Sequence, residues 1–259
     1  MGPGNSTTPH AGHHAGTAHL GRLLEFAQPG ADDVALDVAY GDGPVAAALR
    51  THLRHVASVD AGPRPEPRHP RHPGRRAAPD TAPHMLPTVL AASPGAGADA
   101  VHASTLALPY KDRVFTLVTA QLALYSLADP LGSVREMLRV CRPDGRLIIA
   151  GRVRTNAASA ARDRLERLRD PAHAGTPALS GLTGLLTAAG ARIRRLDVFV
   201  VERPAEPWLA GCDEAGADQI RAAMFAEIDG GPRTGVRPRL IGGELWFSQS
   251  WAHIAAVPT

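Results

Sequence analysis

Lysine is almost missing from this 259-residue chain: Lys111 is the only one, and 27 of the 28 basic residues are arginine. With abundant Ala, Gly and Pro, that bias matches a GC-rich genome and carries no functional message by itself. Cysteine is nearly absent too. Cys141 and Cys212 are too few for a disulfide framework or a zinc site, so a reducing cytoplasm is the expected compartment. No apolar run approaches the roughly 20 residues of a membrane span. The first residues lack the basic-then-apolar order of a secretory signal. Surplus charge is also scarce. The formal net charge is +3, and residues 62–79 alone contribute +4 through Arg64, Arg68, Arg71, Arg75 and Arg76 against Glu66. The rest of the chain is close to neutral, which argues against a partner such as nucleic acid.

What is present is a rhythm. Residues 1–18 are Gly-, His-, Thr- and Pro-rich with no periodicity and read as a disordered tail. The tail holds His10, His13 and His14, but a Gly-rich tail lacks the fixed scaffold of a metal site, so no metal is expected. From residue 19 onward the chain reads as one domain. Leu20, Leu23, Leu24 and Ala27 have helical spacing, and Pro29-Gly30 ends that helix. Apolar strands follow near 34–39, 56–60, 100–103, 114–119 and 146–150. Helices are expected at 45–53, 84–92 and 131–140, with Arg142-Pro143-Asp144-Gly145 as a turn. Alternation of this kind predicts an α/β fold with a doubly wound, Rossmann-like, mostly parallel sheet. Later segments read as helices at 157–169, 180–189 and 217–228, and as strands at 192–201 and 245–257 that form an antiparallel pair at the sheet edge. Ligands of such sheets sit beyond the carboxyl ends of the strands, so the residues just after each strand matter most.

The first such loop is Asp37-Val38-Ala39-Tyr40-Gly41-Asp42-Gly43. It lacks the Lys-Ser/Thr of a phosphate-binding loop and the third glycine of a dinucleotide loop. An acid, a short glycine loop and no phosphate apparatus suit a ligand carrying an amine and a carboxylate. Asp60 ends the second strand, where a carboxylate can accept two hydrogen bonds from a ribose diol. The bland alternative is a turn or capping Asp.

These segments, together with Ala107-Leu108-Pro109-Tyr110, the stretch 115–127 and Leu138-Arg139-Val140-Cys141-Arg142-Pro143-Asp144-Gly145-Arg146-Leu147, resemble class I S-adenosylmethionine-dependent methyltransferases over residues 20–190. The likeness is strongest to the small-molecule group that includes ubiquinone/menaquinone-biosynthesis enzymes. Arg167-Leu168-Arg169-Asp170-Pro171-Ala172-His173 also looks like part of that group. The resemblance implies a seven-stranded sheet with an antiparallel last strand. It implies S-adenosylmethionine as cofactor, a small-molecule acceptor, and a monomer or homodimer. It assigns Asp37, Ala39, Tyr40, Gly41 and Gly43 to the methionine part, and Asp60 with Ala61 to the ribose. Ser104, Thr105 and Leu106 would lie against adenine, and Gln121 and Leu122 would face the sulfonium.

The chain departs from the pattern in three places. Ala103-Ser104 stands where the family has Gly-Asp, Phe115-Thr116 where it has Phe-Asp, and Tyr125-Ser126 where a His pair is frequent. Together these predict weaker cofactor binding or an altered reaction, such as a cyclisation or isomerisation. A base is needed only if the acceptor must lose a proton. His173 is the first candidate, against a plain packing role, and Tyr125 the second, against a pocket-wall role. Arg169 and Asp170 read as a solvated helix end, and Trp208, Trp246, Phe247 and Trp251 as core or pocket lining. The Pro/Arg/His-rich insertion at about 61–81 reads as a tolerated surface loop or as a basic docking strip, the latter allowing a non-catalytic binding role. The composition and variable late segments point to bacterial natural-product biosynthesis.

Overall fold

The computed structural model describes residues 20–39, 43–61, 101–121, 124, 127–155, 159–171, 173 and 175–259. The expected tail, the expected helix at 84–92, most of the 61–81 insertion, and Tyr40, Gly41, Leu122 and Tyr125 lie outside the described residues.

Helix α1 (Leu20–Ala27) precedes β1 (Val34–Ala39), α2 (Pro44–Leu49) and β2 (His55–Asp60). Next come β3 (Val101–His102), β4 (Phe115–Gln121), α3 (Pro130–Val140) and β5 (Cys141–Arg152). The later half contains α4 (Ser159–Arg169), α5 (Leu179–Ala188), β6 (Ala191–Pro204), α6 (Ala205–Leu209), α7 (Glu214–Ile228), β7 (Arg239–Ile241) and β8 (Glu244–Pro258). The sheet runs β3-β2-β1-β4-β5-β8-β6, with β7 paired to β8. The first five strands in that order are parallel to one another, and β8 is antiparallel to both β5 and β6. This is the doubly wound α/β sheet that the alternation predicted. The correction is in number: the three-residue β7 makes an eighth strand. It closes a tight hairpin through Gly242 and Gly243, both at positive φ, where glycine carries no Cβ penalty. Its residues are exposed and short, so no periodicity announces it.

Two apolar layers sandwich the sheet. On one face, α1 lays Leu23 and Phe26 over Ala35, Leu117, Ile148 and Ala150. On the other, α3 and α5 bury Val134, Met137, Leu182 and Leu186 against Leu36, Val118, Leu147 and Ile254. A third cluster joins Leu165 of α4 and Trp208 of α6 to Ile220 and Met224 of α7 and Phe247 of β8. Each side chain so buried contributes roughly 1.5–3 kcal/mol of transfer free energy.

Boundaries shift where local chemistry competes with periodicity. Helix α2 ends at Leu49 rather than running to 53, although Leu53 is still buried by the turn that follows. The Arg142–Gly145 segment lies within β5 rather than standing as a free turn. Its pairing register jumps from Phe115↔Cys141 to Leu117↔Arg146, so the extra residues form a bulge. Gly145 is required there, because a Cβ would stand 3.0 Å from the backbone oxygens of Phe115 and Thr116. Trp208, Phe247 and Trp251 are core residues, 6%, 1% and 1% exposed.

Candidate functional site

The parallel strands end on one rim, and the described ones among the expected cofactor residues lie at or near it. Asp37 lies inside β1 and is 1% exposed. Both its oxygens are occupied. Thr119 donates its hydroxyl to Oδ1 at 2.7 Å, and the Ala46 N–H in the first turn of α2 donates to Oδ2 at 3.1 Å. Burial pushes this carboxyl up to about 6, against the pull of those two hydrogen bonds and the Arg50 charge. Asp37 therefore fastens the glycine loop between β1 and α2. Gly43 sits in the left-handed region with φ +53°, and a Cβ there would meet Ala39 Cβ at 3.4 Å and Asp37 Oδ2 and Ser58 Oγ at 3.5 Å. Those distances are ordinary contact, and it is the left-handed φ that favours glycine here. Ala39 is buried, and its carbonyl accepts from Ala61 N at 2.9 Å, pinning the two strand ends side by side.

Asp60 ends β2 beside β3, with His102 Nδ1 3.6 Å from its Oδ2. Its carboxylate stands at the sheet rim, where a diol can reach it. Ser104 is exposed, and its hydroxyl accepts from Leu106 N at 3.2 Å, forming a local turn. Thr105 is buried, with Oγ1 2.7 Å from Ser133 Oγ on α3. Leu106 projects outward at 49% exposure, an unusual state for a leucine. Gln121 ends β4, and its buried side-chain Nε2 lacks a hydrogen-bond partner among the described residues. An orphaned amide at that rim, the Gly43 cradle, the Asp60 carboxylate and the exposed Leu106 together fit a nucleoside-bearing ligand with a polar amino-acid tail.

A cavity of about 620 Å³ opens beside this row. Leu124 after β4, Asp129–Leu131 at the start of α3, Arg154 after β5, and Asp163 and Arg167 on α4 line it, with Leu182 and Leu185 of α5 as its floor. The α3 N-terminus is shared. Asp129 caps it by accepting from Gly132 N at 2.9 Å, and a Cβ on Gly132 would fall 2.8 Å from Leu106 Cδ2. The turn that carries Thr105 and Leu106 is thus docked on the same helix start that walls the cavity.

His173 does not line the cavity. It stands behind Asp163, with Nε2 3.5 Å from Asp163 Oδ1, and Asp163 itself faces the open space. Asp163 Oδ1 also accepts from Thr176 N at 3.0 Å, fixing the carboxylate. Sequence reading missed Asp129, Arg154, Asp163 and Arg167. The last two share a helix face through i,i+4 spacing, but a polar helix is indistinguishable from a solvated one until its neighbours are known. Arg169 illustrates the point. Its guanidinium is not a solvated helix end but reaches inward to Glu166, at 3.6 Å from Nε.

Thr116 proves to have no place in this site. It lies at the opposite end of β4, where its hydroxyl donates to Asp33 Oδ1 at 2.6 Å and accepts from Val34 N at 3.0 Å. Arg146 closes that corner through Asp33 Oδ2 at 2.6 Å and the carbonyls of Ala27 and Gln28. The Phe-Thr departure is thus a structural substitution far from the cofactor rim.

Residues 36–149 match the family model described as "Methyltransferase domain". The chain is 24% identical over 174 residues to the uncharacterized methyltransferase YcgJ of Bacillus subtilis, a match spanning 65% of this chain and 61% of that relative's length. The crystal structure of YcgJ superposes with a TM-score of 0.68 at 20% identity, covering 93% of this chain and 98% of YcgJ. The structure of the Bacillus halodurans methyltransferase BH2331 gives 0.67 at 20% identity, covering 93% of this chain and 99% of that one. The [4+2]-cyclase SpnF gives 0.56 at 15% identity, covering 95% and 82%. Residues 36–149 thus match a methyltransferase domain, and the sheet has the fold of the solved methyltransferase structures. Among the described residues, no helix is long and apolar enough to cross a membrane, and no cluster of His, Cys, Asp and Glu could hold a metal ion.

Proposed function

We propose that this protein transfers a methyl group from S-adenosylmethionine to a small-molecule acceptor in bacterial natural-product biosynthesis. The observation that carries the proposal is the shared α3 N-terminus. The Thr105–Leu106 turn is docked on it, and Asp129, Pro130 and Leu131 of the same turn wall the 620 Å³ cavity. That arrangement supports a cofactor strip lying edge to edge with an acceptor space. Asp60 and Ala61 would hold the ribose, Ser104, Thr105 and Leu106 the adenine, and Gln121 and Leu122 the sulfonium end. Ala39, Tyr40, Gly41 and Gly43 would receive the methionine part, with Asp37 holding the loop in shape. When bound, S-adenosylmethionine supplies an electrophilic methyl group, so orientation by the protein accounts for most of the rate. If the acceptor must lose a proton, Asp163 faces it and His173 stands behind as the partner that takes up charge. Tyr125 is the second candidate for that step.

The test is calorimetric titration of the full chain with S-adenosylmethionine. Saturable binding is expected, and no heat of binding at millimolar ligand would overturn the proposal. A second reading, non-methylating chemistry on the same scaffold, is favoured by the fold likeness to the cyclase SpnF. Under that reading the cofactor binds but is never consumed with any acceptor.

A further inference from the structure

Helix α4 has a second polar face, turned toward the sheet instead of the cavity. Arg162, Glu166 and Arg169 follow i, i+4, i+7 spacing and so share one side of the helix. They meet Arg152 at the end of β5, and the charges of Arg152 and Arg169 also act on Arg203 near the end of β6. Gln249 of β8 belongs to the same sheet face, two residues from Trp251, which pairs with Arg152. Glu166 is 1% exposed, and its Oε1 accepts from Arg152 Nη1 at 2.6 Å. Burial alone would raise its carboxyl, but the charges of Arg152, Arg169 and Arg162 outweigh burial and hold it below the ordinary range.

The charges do not balance. Arg152 and Arg169 stand 2.6 and 3.6 Å from the Glu166 carboxylate, the charges of Arg162 and Arg203 also interact with it, and Asp163 adds a second negative charge toward Arg162. The next acid, Asp163, is turned to the cavity and held by Thr176 N. Arg162 is only 6% exposed, yet its Nε and Nη2 make no hydrogen bond among the described residues. Gln249 is 1% exposed, and neither its Oε1 nor its Nε2 has a hydrogen-bond partner among the described residues. Arg203 Nε likewise makes no hydrogen bond among the described residues, although its guanidinium lies 5.9 Å from the Phe247 ring centroid. Burial pulls both Arg162 and Arg203 below the usual arginine range, with Glu166 opposing and Arg152 adding to the pull on each. Buried donors left unsatisfied cost roughly 1–3 kcal/mol each, and more when charged. Arg162 is the buried cation of the group, while Arg152, Arg169 and Arg203 are partly exposed, and a buried charge without its own hydrogen-bonded partner is costlier still. Such an arrangement is stable when an anion completes it, and the planar guanidinium fork matches the oxygens of a carboxylate or phosphate.

We propose that the arginine cluster between α4 and the carboxyl ends of β5 and β6 is a binding site for a small oxyanion, with Arg162, Arg203 and the Gln249 amide as its donors. Asp163 and Arg167, on the adjoining face of α4, line the cavity, so one helix joins the anion site to the acceptor space. Resting on the methyl-transfer reading, this makes the acceptor an acidic molecule whose carboxylate or phosphate is held under α4 while its reacting end lies in the cavity. The site opposes cationic and neutral acceptors of the same size, because they would leave the guanidinium groups unmatched.

The experiment titrates the full chain, without S-adenosylmethionine, with inorganic phosphate in one arm and malonate in the other. Binding is read by calorimetry and by thermal shift. Saturable millimolar binding of at least one anion is expected, with a rise in Tm. Phosphate alone would assign a phosphoryl ligand, and malonate alone a carboxylate. Arg162→Met should weaken that binding by about tenfold or more and leave S-adenosylmethionine binding unchanged. If that variant does not fold, Arg203→Gln, at a partly exposed position, serves the same purpose. Absence of saturable binding to either anion at tens of millimolar would overturn the proposal, as would equal affinity in the variants and the parent. Failure of S-adenosylmethionine binding with anion binding intact would overturn the methyl-transfer reading alone.

Discussion

Thr119 on β4 holds Asp37 on the neighbouring β1 through a 2.7 Å hydrogen bond between two side chains 1% exposed each. The acid that opens the glycine loop is thereby tied to the next strand and, through Ala46 N, to the helix that follows. Its position is fixed before any ligand arrives.

Asp37 sets a pH dependence. Its carboxyl rises from 3.8 to about 6 in the folded chain because burial disfavours the charge. The folded state therefore holds more protons than the unfolded chain between those values, and stability falls as pH rises through that window. The full effect is on the order of 3 kcal/mol. Asp37→Asn should remove this slope, as measured by urea unfolding at pH values spanning the window. A slope equal to that of the parent would contradict the assignment.

Asp60 is expected to act on the cofactor rather than on the fold. Asp60→Ala should weaken S-adenosylmethionine binding by about 1–3 kcal/mol, the loss of hydrogen bonds to a charged group. Calorimetric titration reads this directly, and a Kd within twofold of the parent would remove Asp60 from the site.

Thr116 should behave in the opposite way. Thr116→Val leaves the Val34 N–H and the Asp33 carboxylate each short of one partner, so it should cost about 1–2 kcal/mol of stability. Cofactor affinity should not change, because this corner lies at the far end of β4. Denaturant unfolding and titration on the same sample separate the two effects.

Gly132 links the two halves of the candidate site. A Cβ there would stand 2.5 Å from Asp129 Oδ2 and 2.8 Å from Leu106 Cδ2. Leu106 can swing aside, but Asp129 caps the helix through Gly132 N, so Gly132→Ala should loosen that cap and cost about 1 kcal/mol of stability. Leu106 and Asp129 would move with it, and cofactor affinity should fall by about threefold to tenfold, a cost near 1 kcal/mol. A large loss of Tm with normal binding would show that the helix start serves only packing.

The chain's own pattern determined the strand-helix alternation, the doubly wound sheet and the acid-glycine loop, because period-2 and period-3.6 burial and turn chemistry are local properties. It also marked Asp60, at the end of the second strand, whereas residues 104–106 came only from the resemblance to the methyltransferases. It could not rank the polar residues. Thr116 and Thr119 are three residues apart on one strand, yet one fastens the base of the sheet and the other the loop at the site. Only the register against Asp33 and Asp37 separates them. Helix α4 shows the same limit. It reads as a polar, Arg-rich helix with a solvated end at Arg169, and tertiary packing alone placed Arg162 and Glu166 in the interior while turning Asp163 and Arg167 to the cavity. Burial of a charge depends on what lies opposite it, and for α4 those partners come from β5 and β6, whose distance and direction no local pattern encodes.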